Sequence, residues 1–445
     1  MEFIASIPVL GGFLSVALPF VVVLGIVVFI HEYGHYIVGR WCGIHAETFS
    51  LGFGPVIRSW HDSRGTKWQL AALPLGGFVK FLGDADASSR TDPEAVAAMD
   101  EADRKRSFAG ATLGRRALTV LAGPVANFVL SIAVFAGLAM WQGVPTDKPT
   151  VGTIKSLPFE TGDLRPGDVI LRVDGKEVAS FAELYAAAAT MQPPGPMRLT
   201  VERDGRRMDV TAPYLLPPFV EGVEPLSPAS EAGIVPGDYI LRAGGRELVS
   251  FNDLRDVVVE SGGERITLHI WRGGEEFDIP IAPKLREIED GKGGFEKRVM
   301  IGVSGAFAFD PATTTPAPWT AVYLGTLRVV QVITLSLNGL AHMIAGDLSP
   351  SNLQGPLGIA KISGATASQG FGTFLSLIAV ISTAIGMLNL FPIPVLDGGH
   401  LVIFGFEAVR GKPPSEMAMR IAMTVGIALV LMLMVFATYN DIMRL

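Results

Sequence analysis

The chain has 445 residues, 49% of them hydrophobic and only 18% charged, and its mean hydropathy of +0.40 is one that soluble proteins rarely reach. The net charge of −7 comes with no dense basic patch, which argues against a nucleic-acid partner. The single cysteine, Cys42, excludes an internal disulfide and a Cys-rich zinc module, so any metal site must be built from His and carboxylate ligands.

In chain order, the first predicted element is an apolar run over about residues 13–38, long enough to cross a bilayer, which takes about 20 residues. It contains His31-Glu32-Tyr33-Gly34-His35 near its end, and only Glu2, with no Lys or Arg, precedes it. Neither feature suits a cleaved signal peptide. A strand-like stretch follows over residues 68–73, then Gly76-Gly77-Phe78-Val79-Lys80-Phe81. A second apolar run covers about residues 117–141, a third 371–391 and a fourth 421–439. Residues 321–344 are apolar too, but Arg328, Gln331, Asn338 and His342 interrupt them, which predicts a helix lying on the membrane surface. The expected fold is a polytopic α-helical membrane protein with four transmembrane helices. Arg40, Arg58, Arg104, Lys105, Arg106, Arg115 and Arg116 lie between the first two runs, and Arg410, Lys412 and Arg420 between the last two. The positive-inside rule makes both loops cytoplasmic, with the termini and residues 142–370 on the other side.

That long stretch contains an internal repeat. Leu164-Arg165-Pro166-Gly167-Asp168-Val169-Ile170-Leu171-Arg172 recurs as Ile234-Val235-Pro236-Gly237-Asp238-Tyr239-Ile240-Leu241-Arg242, and Arg203 later aligns with Arg272. Each copy reads as a Pro-Gly-Asp turn, a strand, a Gly turn, a short helix and alternating strands. This resembles the PDZ domain in its bacterial, circularly permuted arrangement, and implies two tandem β-rich copies, at 143–215 and 216–284. The first has Pro158-Phe159-Glu160-Thr161-Gly162 where the second has Ser227-Pro228-Ala229-Ser230-Glu231-Ala232-Gly233, so ligand binding is better supported for the second. Gly291-Lys292-Gly293-Gly294 reads as a linker, placing residues 285–365 as linker plus surface helix, between membrane-core parts at 1–142 and 366–445.

The first run carries the chemistry. In H-E-x-x-H, residues i and i+4 lie on one helix face, so His31 and His35 can reach one metal ion, with Glu32 beside them as a proton acceptor. Ionisable groups at membrane depth cost roughly 2.5–3.5 kcal/mol each on insertion scales, which favours a functional reading over a helix that merely ends at the interface. Catalytic zinc takes three protein ligands and keeps a fourth position open. The third candidate is Asp397, in Asn389-Leu390-Phe391-Pro392-Ile393-Pro394-Val395-Leu396-Asp397-Gly398-Gly399-His400, at the cytoplasmic end of the third run, the side that holds His31 and His35. A capping turn is the alternative for Asp397. Asn389 offers a donor and an acceptor, for a substrate backbone or oxyanion or for a helix–helix bond. Gly77, Phe78, Val79 and Lys80 suit an extended strand that can pair with unwound substrate, or an ordinary hairpin. Asn127, beside Gly123 and Pro124, reads as helix-packing glue.

The two motifs together resemble the site-2 protease family of intramembrane metalloproteases, and the PDZ-like pair between them narrows this to its two-PDZ branch. The resemblance covers essentially the whole chain and includes Gly76–Lys80, Ala122–Phe128 and Gly355-Pro356-Leu357-Gly358. It implies Zn2+ held by His31, His35 and Asp397, with Glu32 as base and a membrane-dipping β-loop around Gly77–Lys80. It also implies a place in the bacterial inner membrane, with periplasmic PDZ domains. The implied substrates are single-span membrane proteins of the anti-sigma-factor type, already trimmed outside the bilayer. A membrane scaffold that binds protein C-termini over an inactive protease core is the rival reading. Loss of His31, Glu32, His35 or Asp397 would have favoured it, and all four are present.

Overall fold

The computed structural model describes residues 11–84, 98–159, 162–191, 194–289 and 294–443. The chain opens with α1 (Gly11–Trp41), β1 (Ala46–His61), β2 (Lys67–Phe81) and α2 (Leu113–Gln142). The first repeat follows as β3 (Val151–Ile154), β4 (Val169–Val173), β5 (Lys176–Glu177), α3 (Phe181–Ala189), β6 (Met197–Arg203) and β7 (Arg206–Ala212). The second runs through β8 (Val220–Val223), β9 (Tyr239–Ala243), β10 (Arg246–Glu247), α4 (Phe251–Glu260), β11 (Ile266–Arg272) and β12 (Glu275–Ile281). Then come β13 (Lys284–Glu289), β14 (Phe295–Met300), β15 (Val303–Gly305), β16 (Phe309–Pro311), α5 (Pro318–Ala345), α6 (Pro356–Ser368), α7 (Phe371–Asn389), α8 (Asp397–Arg410) and α9 (Glu416–Met443). These form two compact units, one of residues 1–138, 318–344 and 349–445, the other of residues 139–317 and 345–348.

In the first unit, five helices among the described residues are long and apolar enough to cross a membrane: α1, α2, α5, α7 and α9. The sequence predicted four, with 321–344 on the surface; by length and composition α5 qualifies as well. Helices α2 and α7 meet through small polar contacts. The Ser131 hydroxyl lies 2.9 Å from the Asn127 carbonyl and 2.8 Å from that of Ala379, and Ser382 donates to the Asn127 carbonyl at 2.9 Å. Such bonds suit helices whose surroundings offer no hydrophobic driving force between them. Around α9, Ile421, Val425, Met432 and Val435 stay exposed, as expected of a helix covered by lipid.

Strand β1 folds back on itself. Its residues Thr48–Leu51 pair with Lys67–Leu70 on one side and with Gly77–Lys80 on the other, while Arg58–His61 pair again with Lys67–Leu70. The bend falls at Gly52, whose φ of +92° and whose close approach to the Leu73 carbonyl leave no place for a side chain. Segment Gly77–Phe81 is thereby an outer edge of this sheet, with no further strand against it among the described residues. Phe49, Val79 and Phe81 bury themselves with Tyr36 of α1 and Phe404 of α8, which fastens the edge to the helices.

The second unit repeats one design. Strand orders β5-β4-β6-β7 and β10-β9-β11-β12 are the same. The Pro-Gly-Asp aspartates, Asp168 and Asp238, are fully buried. Each takes a bidentate bond from an arginine two strands on, Arg203 at 2.7 and 2.7 Å and Arg272 at 2.6 and 2.8 Å. Losing the arginine would leave a buried carboxylate without its charged partner, which explains why Asp and Arg recur together in both copies. Residues 285–317 do more than link: β13 pairs with β14, β15 with β8, and β16 with β3. Phe309 of β16 is buried in the core of the first repeat. Glu160 and Thr161, and Gly291, Lys292 and Gly293 of the expected linker, lie outside the described residues.

Candidate metal centre

Helix α1 brings His31, Glu32 and His35 towards the C-terminal end of an apolar rod whose one other charged residue is Arg40, in the last turn. The two interior positions of the motif differ in role. Tyr33 is partly exposed, while a Cβ on Gly34 would collide with the Ala122 carbonyl and Ala126, so Gly34 is what lets α1 and α2 approach. Asp397 does not close the third apolar run as the sequence suggested; it is the first residue of α8, after a loop through Pro392 and Pro394. Gly398 and Gly399 follow it because Cβ atoms there would strike the carbonyls of Leu390 and Ile393. The first turn of α8 can therefore nest in that loop and aim Asp397 at α1.

His31 Nε2 lies 3.2 Å from His35 Nε2 and 3.2 Å from Asp397 Oδ2, and His35 Nε2 lies 3.4 Å from the same oxygen. Asp397 Oδ2 is buried, yet neither imidazole meets it in hydrogen-bond geometry. Three acceptor-capable atoms thus converge on one point, the two Nε2 atoms within hydrogen-bonding reach of each other and Oδ2 bonded to neither, and they form a metal-capable group within 4.8 Å. A tetrahedral zinc with ligand bonds of about 2.0–2.1 Å needs its ligand atoms roughly 3.3–3.4 Å apart, so the triangle fits. The His35 ring is set from behind: its Nδ1 lies 2.9 Å from the Thr119 carbonyl, which can only accept, so Nδ1 carries the proton and Nε2 keeps its lone pair.

The three ligand candidates, Glu32, Gly77, Phe78, Val79, Asn389 and His400 line one cavity of about 200 Å³. Gly77 is close-packed here, since a Cβ would stand 3.1 Å from Glu32 Cγ and 2.7 Å from the Ser50 carbonyl. Asn389 is the last residue of α7 rather than deep within it, which places its amide at the cavity. Lys80 stands apart: its ammonium pairs with Glu47 at 3.0 Å, and it is not among the residues that line the cavity.

Sequence reasoning overlooked two α2 residues. A Cβ on Gly123 would press into the His35 and His31 rings, and the Asn127 amide, read as packing glue, lies 3.2 Å from His31 Nδ1. Their spacing of four from each other was the available signal.

The Peptidase family M50 model matches residues 19–433. The chain is 36% identical over 440 residues to a protein of Agrobacterium fabrum whose name assigns it provisionally to the zinc metalloproteases, covering 98% of this chain and 97% of that one. It is 32% identical over 457 residues to the regulator of sigma-E protease of Escherichia coli, covering 96% and 98%. With the corresponding protein of Haemophilus influenzae it shares 33% over 464 residues, again 96% and 98%. A match of this extent leaves no large part of the chain outside the likeness, and the chain belongs to peptidase family M50, and with it to the zinc-dependent metalloproteases of the site-2 type.

Proposed function

We propose that this protein hydrolyses a peptide bond inside the transmembrane segment of a single-span membrane protein, with zinc held by His31, His35 and Asp397 and with Glu32 as general base. The observation that carries the reading is the His31–His35–Asp397 triangle, open to a cavity that Glu32 also lines, at the end of an apolar helix. A bound zinc ion supplies Lewis acidity to the scissile carbonyl and makes water acidic enough to ionise near neutral pH. Glu32 takes a proton from the attacking water and returns it to the leaving amide nitrogen, so the C–N bond breaks and the water's oxygen stays on the new carboxylate.

A helical substrate must unwind before this attack, and its freed backbone groups need partners that lipid does not offer. The open edge of Gly77–Phe81, beside Glu32, supports pairing with an extended substrate there, and Asn389 supports a hydrogen bond to the same backbone. Four helices, α1, α2, α7 and α9, cross the bilayer in this reading. Helix α5 lies at its surface, since an exposed Arg328, bonded to Gln331, is costly in the hydrocarbon core. The charge bias puts the zinc near the cytoplasmic face of a bacterial inner membrane and the two repeats, read as circularly permuted PDZ domains, on the periplasmic side. The name of the Escherichia coli relative, a regulator of sigma-E protease, supports a substrate tied to sigma-factor control; the proposed substrate is of the anti-sigma-factor type, trimmed outside the membrane before it is cut within, as the motif resemblance implies.

Glu32→Gln tests the chemistry. The variant is expected to keep stoichiometric zinc and its thermal stability while losing cleavage of a single-span peptide in detergent or vesicles, because an amide cannot accept the proton. A chelator should stop the wild type and added zinc restore it. Near wild-type turnover by Glu32→Gln would remove Glu32 from the mechanism.

A further inference from the structure

Thr119, Gly123 and Asn127 stand four residues apart on α2, so they share one helix face. That face meets both histidines. Thr119 offers a carbonyl to His35 Nδ1, Gly123 leaves room for the two rings, and Asn127 brings its amide to His31 Nδ1. Asn127 is fully buried, and its Oδ1 has no hydrogen-bond partner among the described residues. A buried amide oxygen left orphaned beside a ring nitrogen is unfavourable.

The oxygen and nitrogen of an amide have nearly the same shape, so their assignment follows from hydrogen bonding. To act as a ligand, His31 must present a lone pair at Nε2. The proton of its neutral ring then sits on Nδ1, where only an acceptor satisfies it. We infer that Asn127 is a positioning residue of the metal site, its Oδ1 accepting the Nδ1–H of His31 and so fixing the tautomer and the ring plane of that ligand. The amide is turned so that Oδ1, not Nδ2, faces the ring. The backbone that carries it is pinned, because Ser131 and Ser382 both bond its carbonyl, and Gly386 leaves so little space that a Cβ there would stand 3.2 Å from Asn127 Cβ. Helix α2 then gives each histidine one acceptor from outside the ligand shell, a main-chain one for His35 and a side-chain one for His31.

The inference rests on His31 being a zinc ligand, and the test keeps the two apart. Zinc affinity of the full chain in detergent is measured by chelator competition for the wild type, Asn127→Leu, Asn127→Asp and His31→Ala. The Leu and Asp variants have nearly the size of Asn, and the melting temperature of each metal-free protein reports any loss of fold. Asn127→Leu is expected to weaken zinc about 10–100-fold, the usual effect of removing such an outer partner, while Asn127→Asp, whose carboxylate can accept the ring proton, stays close to wild type. The visible spectrum of the cobalt-substituted protein should shift with Leu and not with Asp. Wild-type affinity in Asn127→Leu overturns the inference. Equal weakening by Asp and Leu overturns it as well, because Nδ1 then does not donate to this position. Should Asn127→Leu fail to fold, the Asp variant alone decides. Loss of zinc from His31→Ala shows that any such failure belongs to Asn127. Full zinc in His31→Ala would instead strike down the ligand reading and this inference with it.

Discussion

At the scale of single residues, the glycines around the metal site matter as much as the polar groups. Gly123 is the sharpest case, because a glycine inside a helix costs about 1 kcal/mol relative to alanine, and the cost has a reason here: a methyl group would enter the space of the His31 and His35 rings. Gly123→Ala is therefore expected to push the rings aside, so that the gain in helix propensity is offset by the clash in the metal-free protein and zinc content falls at least about tenfold. Metal analysis beside thermal melts checks this, and full zinc retention would show that the rings can shift to admit the methyl and still hold the metal. Gly34 and Gly77 act in the same way, by distance of approach rather than by chemistry.

At the scale of elements, the turn between β1 and β2 is organised by one carboxylate, Asp62. Burial pushes its pKa up, but this is outweighed by bonds from the Tyr36 hydroxyl at 2.8 Å, the backbone N–H groups of Arg64 and Thr66 at 2.8 and 3.0 Å, and Trp68 Nε1 at 3.3 Å. The net result is a pKa lowered to about 2. A depressed carboxylate stabilises the fold above its unfolded pKa of about 3.9, and that contribution is lost as pH falls from about 4 through 2. Asp62→Ala should therefore destabilise the protein by about 1–2 kcal/mol at pH 7, with the difference shrinking towards pH 2. Melting curves in a non-ionic detergent at pH 7, 4 and 2 test it; an unchanged gap at pH 2 would mean that Asp62 acts through packing. The turn matters because it holds β1 against α1 through Tyr36, and β1 in turn holds the edge strand Gly77–Phe81 beside Glu32.

At the scale of the molecule, we propose that the repeats act as a filter that admits only substrates lacking a bulky part outside the membrane. The strand pairings decide how to test it. A deletion ending at Pro283 would orphan β15 and β16, which complete the edges of β8 and β3. Removing residues 151–314 takes out the repeats with these strands. That variant is expected to cleave an untrimmed single-span substrate that the intact enzyme leaves whole, as read by gel shift of the product. A zinc-loaded, folded variant that cuts neither trimmed nor untrimmed substrate would mean that the repeats recruit rather than exclude.

Much of this was open to reading in the sequence, and for a physical reason in each case. Apolar runs announce membrane helices because lipid demands continuous apolar surface, H-E-x-x-H announces a shared face because the helix repeats near every fourth residue, and the Pro-Gly-Asp repeat announces two copies of one design. Other features depended on distant parts of the chain coming together. The position of Asp397 at the start of α8, the edge status of Gly77–Phe81, the pairing of Lys80 with Glu47, and the completion of the first repeat by β16 all depend on long-range register that no local pattern encodes. The same holds for α2, whose Gly123 and Asn127 look like ordinary packing residues until α1 lies against them. Local periodicity fixes which residues share a face; only the packed structure decides what that face meets.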